Sequence, residues 1–292
     1  MNKTKKIDII IPTYHPDEKL ERCLRMLKRQ TIQPQRILLI NTEEEFFHSK
    51  VFPTLKQGEI VHITKPEFDH GGTRNQAARM CDGEIMILLT QDAIPADEYL
   101  IENLLKPFED EEVCAAYGRQ MADKKDNPIE AYTRIFNYPK ESRIKSKKDL
   151  SELGIKTFFC SNVCAAYRKS EYDALGGFPL HTIFNEDMIF ASHLIEEGKK
   201  IAYVADAKVW HWHNYTAKEQ LKRNFDLAVS QVDAGGLFTK VKSESEGIRL
   251  VKMTLLHFIK KGQFYYIPKI ITQNGRGGID KVPLCKVIMG DE

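Results

Sequence analysis

A chain of 292 residues, 42% hydrophobic and 29% charged with a net charge of +2, has room for one large α/β domain or two smaller ones. It is too evenly charged to imply a nucleic-acid partner. No apolar run reaches the roughly 18–20 residues that span a bilayer, and Ile9-Ile10-Ile11 is too short for a signal-peptide core, so the expected location is the cytoplasm.

In chain order, residues 7–12 predict a strand that ends in Pro12-Thr13-Tyr14-His15. A helix follows over residues 16–29, with Leu20, Cys23, Leu24 and Leu27 at helical spacing and Pro16 in a suitable place for a first turn. Residues 36–41 and 59–64 read as the second and third strands. Residues 71–81 read as a helix that Gly83 stops, and residues 84–90 as a fourth strand. The run from Ile85 to Leu89 is unbroken, the pattern of a strand buried on both faces, and it leads into Thr90-Gln91-Asp92 before Pro95. Alternation of strand and helix predicts an α/β protein with a mostly parallel, Rossmann-like central sheet flanked by helices.

The second half is less regular. A strand is expected over residues 113–118, a helix over 129–136 after Pro128, a charged loop over 140–149 and an apolar strand within 158–168. Gly176-Gly177-Phe178-Pro179 is a turn, and residues 187–197 form a helix that Gly198 ends. Residues 200–204 and 207–213 read as two strands, followed by an amphipathic helix over 218–232. Six scattered cysteines include one close pair, Cys160 and Cys164, with no second pair to complete a zinc site; they read as buried free thiols.

From Ile248 to Met289 the basic residues Arg249, Lys252, Lys260, Lys261, Lys269, Arg276, Lys281 and Lys286 stand against a lone acid, Asp280. They are interleaved with Leu255, Leu256, Phe258, Ile259, Phe264, Tyr265 and Tyr266. That composition suits a helical extension lying on anionic lipid, a core helix with a solvated basic face, or a subunit contact such as a homodimer.

Four clusters could carry chemistry. Ligands of open α/β sheets bind at the carboxyl ends of the strands, where Pro12-Thr13-Tyr14 and Asp92 both fall. Residues 68–75 open a helix with Gly71, Gly72 and Arg74, a combination that suits a phosphate but is not a dinucleotide fingerprint. Asn185-Glu186-Asp187 begins another helix, where acids serve either as caps or as a proton acceptor. His211 and His213, on a strand, would share one face and could bind a metal or simply pack.

Taken together, HGGTRN (70–75), LLTQDAIP (88–95), YGRQ (117–120), FNYP (136–139), SNVCAAYR (161–168), GGFP (176–179), NEDM (185–188) and HWHNY (211–215) resemble glycosyltransferase family 2, in its bacterial rhamnosyltransferase-like branch. The resemblance runs over residues 7–232 and implies an inverting enzyme of the GT-A fold. It implies a catalytic domain over residues 1–235, with nucleotide-sugar binding in 1–120 and the acceptor side in 120–235, and a helical, basic extension over 236–292. Pro12, Thr13, Tyr14, Asn41, Arg74, Asn75, Gln91 and Asp92 would bind the nucleotide sugar. Asp92 and His211 would hold Mg²⁺ or Mn²⁺, Asp187 would be the catalytic base with Glu186 beside it, and Arg119, Gln120, Trp212 and His213 would face the acceptor.

Thr90 stands where the family's Asp-x-Asp motif has its first Asp, so Asp92 holds the cation with less charge than usual and His211 is expected to supply part of the deficit. The branch implies dTDP-L-rhamnose as donor, with a UDP-sugar as the alternative, and a polysaccharide or lipid-linked glycan as acceptor. The rival readings are a non-catalytic sugar-binding or assembly subunit and a nucleotidyltransferase. The second lacks a lysine-bearing glycine-rich loop after the first strand.

Overall fold

The computed structural model describes residues 5–122, 127–213, 215–216, 218–219, 222–223, 225–226, 229–230 and 244–271. The chain divides into two compact units, the first made of residues 1–121 and 139–211 and the second of residues 122–138 and 212–292.

The first unit opens with β1 (Ile7–Tyr14), α1 (Glu18–Leu27), β2 (Arg36–Thr42), β3 (Gly58–Ile63), α2 (His70–Arg79) and β4 (Ile85–Leu89). These are the elements that periodicity predicts, with ends shifted by a residue or two. In α1, Leu20, Cys23, Leu24 and Leu27 are buried, and Asp17 caps the helix by accepting from the Lys19 N–H, so Pro16 lies outside it. All five residues of β4 are buried. β1 runs parallel to both β2 and β4, and β2 runs parallel to β3. The carboxyl ends of four strands therefore lie along one edge. At the opposite end the buried Asp8 carboxylate accepts from the Asp82 and Gly83 N–H groups and from Gln35 Nε2, fixing where β4 begins.

After β5 (Ile94–Pro95), α3 (Leu100–Leu105) and β6 (Val113–Met121), the chain passes through α4 (Pro128–Asn137) of the second unit. It returns with β7 (Arg143–Lys145), α5 (Leu150–Leu153), β8 (Cys164–Arg168), α6 (Lys169–Ala174), α7 (Glu186–Glu196) and β9 (Lys200–Trp210). The sheet order is β3-β2-β1-β4-β8-β6-β9-β5, with β7 beside β9. β8 enters antiparallel between β4 and β6, while β6 and β9 are parallel. A fully buried strand carries the same apolar run in either direction, so its polarity is invisible in sequence.

Two local expectations change. Residues 140–149 are not all loop: β7 pairs antiparallel with β9, and Lys145 turns inward. Its ammonium donates to the Lys156 and Phe159 carbonyls at 3.0 and 2.5 Å and lies 4.8 Å from the Tyr117 ring centre; burial pushes its pKa down to about 7. The two strands expected over 200–213 are one strand that ends at Trp210. Its register against β6 jumps from Gly118–Val204 to Arg119–Lys208, leaving residues 205–207 as an insertion. Gly118 permits this, because a Cβ there would sit 2.6 Å from the Ala207 carbonyl oxygen. The Ala205 N–H donates to Ser142 Oγ and the Asp206 carbonyl accepts from Asn103 Nδ2, so the inserted backbone is satisfied.

In the second unit, α4 is capped by Asn127 and packs on α8 (Glu244–Lys260). Ile129, Val251, Leu255, Phe258 and Ile270 form its core, and Phe264 and Tyr265 beyond α8 are 60% and 69% exposed. Of the helix expected over 218–232, residues 218–219, 222–223, 225–226 and 229–230 are described and are helical, while Arg276, Asp280, Lys281, Cys285 and Lys286 lie outside the described residues. The other five cysteines are free and buried. Among the described residues no helix is long and apolar enough to cross a membrane.

Candidate active site

At the carboxyl edge of the parallel strands, Thr13 Oγ1 donates to Asn41 Oδ1 at 3.0 Å, and Asn41 Nδ2 reaches the Glu43 carbonyl and His62 Nδ1, each at 3.1 Å. Gln91 crosses from the turn after β4 to the end of β1: its Oε1 accepts from the Tyr14 N–H and its Nε2 donates to the Tyr14 carbonyl, both at 3.0 Å. Of the residues expected to bind the nucleotide, Pro12, Thr13, Tyr14, Asn41 and Gln91 thus meet at one place. Tyr14 is exposed, with the His15 ring against its edge at 4.2 Å and Phe46 stacked on His15 at 3.9 Å. His15 and Glu43 have φ of 45° and 63°, a cost that non-glycine residues carry where the surroundings impose it. Flat ring faces beside fixed amides suit a planar heterocycle.

Asp92 follows Gln91 in the same turn, which the Ala93 N–H closes onto the Thr90 carbonyl. His211, one residue past β9, is buried and placed by its N–H on the Met121 carbonyl. Its Nε2 lies 3.5 Å from Asp92 Oδ2, and its Nδ1 lies 2.9 Å from Gln120 Oε1. With Gln120 Nε2 donating to Ser161 Oγ at 3.0 Å, its carbonyl end faces the imidazole, an arrangement that suits a proton on Nδ1. The lone pair on Nε2 then confronts a carboxylate, and two acceptors this close call for a shared cation, a proton or a metal. Thr90 Oγ1 is buried with no hydrogen-bond partner among the described residues, so an oxygen at the missing-Asp position of the motif awaits one. This donor set fits a divalent cation that takes oxygen and imidazole ligands. Gln120 is buried behind His211, while Arg119 precedes it on β6 and is partly exposed. Trp212 and His213 belong to the second unit, where the His213 ring stacks on Tyr215 at 4.7 Å.

The start of α2 is arranged differently from the open anion cradle its glycines suggest. Asp69 caps it by accepting from the Gly72 N–H at 2.5 Å. Gly71 packs so tightly that a Cβ would come 1.8 Å from the Pro179 carbonyl oxygen. Asn75 is buried on the same segment: its Nδ2 donates to the Phe178 carbonyl at 2.8 Å, and its Oδ1 accepts from the Phe178 N–H at 2.9 Å and from the Tyr172 hydroxyl. Gly177 faces this amide with φ of 78°, at a position where a Cβ would lie 2.6 Å from Asn75 Oδ1. Arg74 is also buried, and its Nη1 donates to the His70 carbonyl at 2.7 Å and pairs with Glu186 Oε1 at 3.3 Å. The geometry turns Arg74 and Asn75 inward, toward residues 178 and 186.

Glu186 and Asp187 form the first turn of α7, entered through Asn185 in a left-handed conformation with φ of 67°. Asp187 Oδ1 accepts from the Met188 N–H at 2.8 Å and Oδ2 from the Asn162 N–H at 2.9 Å, while Asn162 Nδ2 donates to Glu186 Oε1 at 3.1 Å. The two carboxyls are driven apart. Burial, then the neighbouring Glu186 charge, pushes Asp187 up to about 7, against the pull of its two backbone donors and Arg74. Burial also opposes the charge on Glu186, but Arg74, His70 and Asn162 outweigh it and hold its pKa below the ordinary value. The outcome is an ionised Glu186 beside a carboxyl poised to exchange a proton near neutrality. Asn162 was not foreseen as part of this pair, since only its place in the SNVCAAYR segment marks it.

Residues 8–176 match the family described as glycosyl transferase family 2. The chain is 41% identical over 274 residues to the O-antigen chain rhamnosyltransferase RfbN of Salmonella typhimurium, covering 91% of this chain and 85% of that one. It is 39% identical over 272 residues to the O-antigen chain rhamnosyltransferase WbaN of Salmonella anatum, covering 90% and 84%. Among solved structures it resembles the mannosyltransferase PcManGT of Pyrobaculum calidifontis in complex with GDP-Man and Mn²⁺, with a TM-score of 0.58 at 14% identity over 100% of this chain and 77% of that one. It also resembles TarS 1–349 of S. aureus in complex with UDP-GlcNAc, with a TM-score of 0.52 at 13% identity over 96% and 77%. These likenesses identify the fold as GT-A.

A carboxyl whose pKa is raised by folding makes the folded state hold its proton longer than the unfolded chain does. Its stabilising contribution is therefore complete below about pH 4 and lost as the pH rises to about 7. Urea unfolding between pH 5 and 8 should show stability falling toward pH 7, a decline that Asp187→Asn should remove, before the depressed Lys145 turns the slope upward at higher pH. A slope that persists in the variant would assign it to another group.

Proposed function

The chain belongs to glycosyl transferase family 2, and from that premise we propose that it transfers L-rhamnose from a nucleoside diphosphate donor to a hydroxyl of a growing cell-surface polysaccharide, with inversion at the anomeric carbon. dTDP-L-rhamnose is the favoured donor and a UDP-sugar the alternative. Support for the sugar and the glycan comes from the two O-antigen rhamnosyltransferase relatives. The observation that carries the mechanism is the divided pair at the start of α7, where Glu186 is ionised against Arg74 and Asp187 is held basic.

In this reading Asp187 takes the proton of the acceptor hydroxyl. The oxygen forms its bond to the anomeric carbon from the face opposite the diphosphate, and the electrons of the breaking sugar–oxygen bond leave with the nucleoside diphosphate. Tyr14, with Thr13, Asn41 and Gln91 behind it, forms the wall for base and ribose. Arg74 and Asn75 act from inside, Arg74 by keeping Glu186 charged and Asn75 by holding residue 178 in place. Asp92 and His211 would hold Mg²⁺ or Mn²⁺, which when bound supplies positive charge to the leaving diphosphate.

Residues 1–235 carry catalysis in this proposal, with residues 236–292 as a surface contact on the cytoplasmic face of a membrane. Its support is the exposed Phe264 and Tyr265 near Lys260, Lys261 and Lys269, beyond a helix whose apolar face is already occupied by α4.

Asp187→Asn should lower kcat by roughly 10²–10⁴-fold, the usual share of a general base, and leave donor affinity in place. Near-normal turnover would remove Asp187 from the role. Calorimetry of dTDP with and without Mn²⁺ should show a cation-dependent gain in affinity that Asp92→Ala abolishes; equal affinity in both proteins with the cation present would refute the metal assignment. Vesicles containing anionic lipid should retain the protein at low salt and release it at high salt, with Phe264→Ala and Tyr265→Ala weakening retention. Salt-insensitive retention, or none, would count against the lipid contact.

A further inference from the structure

Asn162 is buried in the turn before β8 and touches both carboxylates of the proposed reaction through separate donors. Its backbone N–H serves Asp187 Oδ2 at 2.9 Å and its side-chain Nδ2 serves Glu186 Oε1 at 3.1 Å. An amide side chain can in general be turned over, exchanging its donor and acceptor ends. Here the Tyr167 hydroxyl donates to Asn162 Oδ1 at 2.8 Å, and Cys160 Sγ lies 3.4 Å from the Tyr167 hydroxyl oxygen. Burial, then the neighbouring Cys160 and Asp187, raises the Tyr167 pKa well above its ordinary value, so the hydroxyl keeps its proton and remains a donor. With Oδ1 committed to Tyr167, Nδ2 must face Glu186. The reverse orientation would set an amide oxygen against an ionised carboxylate.

We infer that Asn162 is a positioning residue for the glycosyl transfer, presenting Asp187 to the acceptor hydroxyl while holding Glu186 toward Arg74, and that Tyr167 acts through it by fixing the direction of its amide. The inference rests on the reading of Asp187 as the base. Tyr167 is itself locked, packed between Tyr172, Phe178 and Phe190 with ring centroids 5.5–6.2 Å away. The side-chain path therefore runs from a rigid aromatic cluster to Glu186, and the residue it fixes presents its backbone N–H to Asp187. Rigid support of this kind matters because a misplacement of about 1 Å at a reacting group can cost on the order of 10²-fold in rate.

The test compares kcat for Asn162→Ala, Tyr167→Phe and the double variant, using whichever of dTDP-L-rhamnose or a UDP-sugar the unaltered protein turns over. Asn162→Ala should lower kcat roughly 10- to 100-fold, the kinetic equivalent of one hydrogen bond to a charged group. Tyr167→Phe should lose less, and the double variant should be no worse than Asn162→Ala, because the hydroxyl has no route to the base once the amide is gone. Affinity for dTDP with Mn²⁺ should stay unchanged in all three. Losses that multiply, an unaltered kcat in Asn162→Ala, or a loss confined to nucleotide affinity would overturn the inference.

Should Asn162→Ala fail to fold, Asn162→Asp retains the size and the acceptor for Tyr167 but sets a carboxylate against Glu186. Asp187 is already faced by Glu186 on α7, by Arg74 and His70 on α2, and by Cys160 and Tyr167 from the β8 side. The added charge should move the acid limb of kcat to higher pH, and an unmoved limb would again overturn the inference. Asp187→Asn separates the two levels. If its kcat is near normal, the base assignment fails; if its kcat falls while that of the Asn162 variants is unaltered, only the positioning role fails.

Discussion

A guanidinium withdrawn from water needs a carboxylate beside it, and the buried contact between Arg74 and Glu186 organises the catalytic side of this molecule. It joins the first turns of two helices more than a hundred residues apart in sequence, α2 and α7. Gly71 against the Pro179 carbonyl and Asn75 on the Phe178 backbone hold the same two segments together. Buried, and beside a Glu186 that Arg74 keeps charged, Asp187 becomes the carboxyl that resists ionisation. The positive charge of Arg74, which the sequence suggests for a phosphate, faces Glu186 in the fold.

The other side of the site depends on the ends of strands. Asp92 is delivered by the turn after β4 and His211 by the end of β9, and neither position would suffice if β9 kept a regular register with β6. The insertion at residues 205–207, admitted by the missing side chain of Gly118, sets how far β9 advances before His211 appears. Gln120, held by Ser161, then selects the ring nitrogen that faces Asp92. Ser161 and Asn162 are neighbours in the chain, so one short segment supports the cation side through its hydroxyl and the base side through its amide.

Much of this was legible in the sequence. The strands β1 to β4, the buried face of α1 and the placing of Asp92 at a strand end follow from local periodicity and turn chemistry, which act over a few residues. The motif order resembling glycosyltransferase family 2 was equally legible, and the matched family and relatives bear it out. The direction of β8, the short edge strand β7 and the run of β9 through a bulge were not, because each is settled by a partner strand distant in sequence. A polar stretch such as residues 140–149 reads as loop until a neighbour offers it an edge.

The site divides along the same line. The sequence by itself determined the inventory: an acid at the end of a buried strand, a second pair of acids at a helix start, and a late histidine. Only the tertiary structure decided the assignments within that inventory. It paired Arg74 with Glu186, pushed the Asp187 carboxyl up while Glu186 was held low, and set Gln120 behind His211 and Asn162 against the two acids. The physical reason is that protonation and hydrogen-bond direction depend on burial and on charges a few ångströms away. Those neighbours, Arg74 to Glu186 or Tyr167 to Asn162, become neighbours only when the chain has folded.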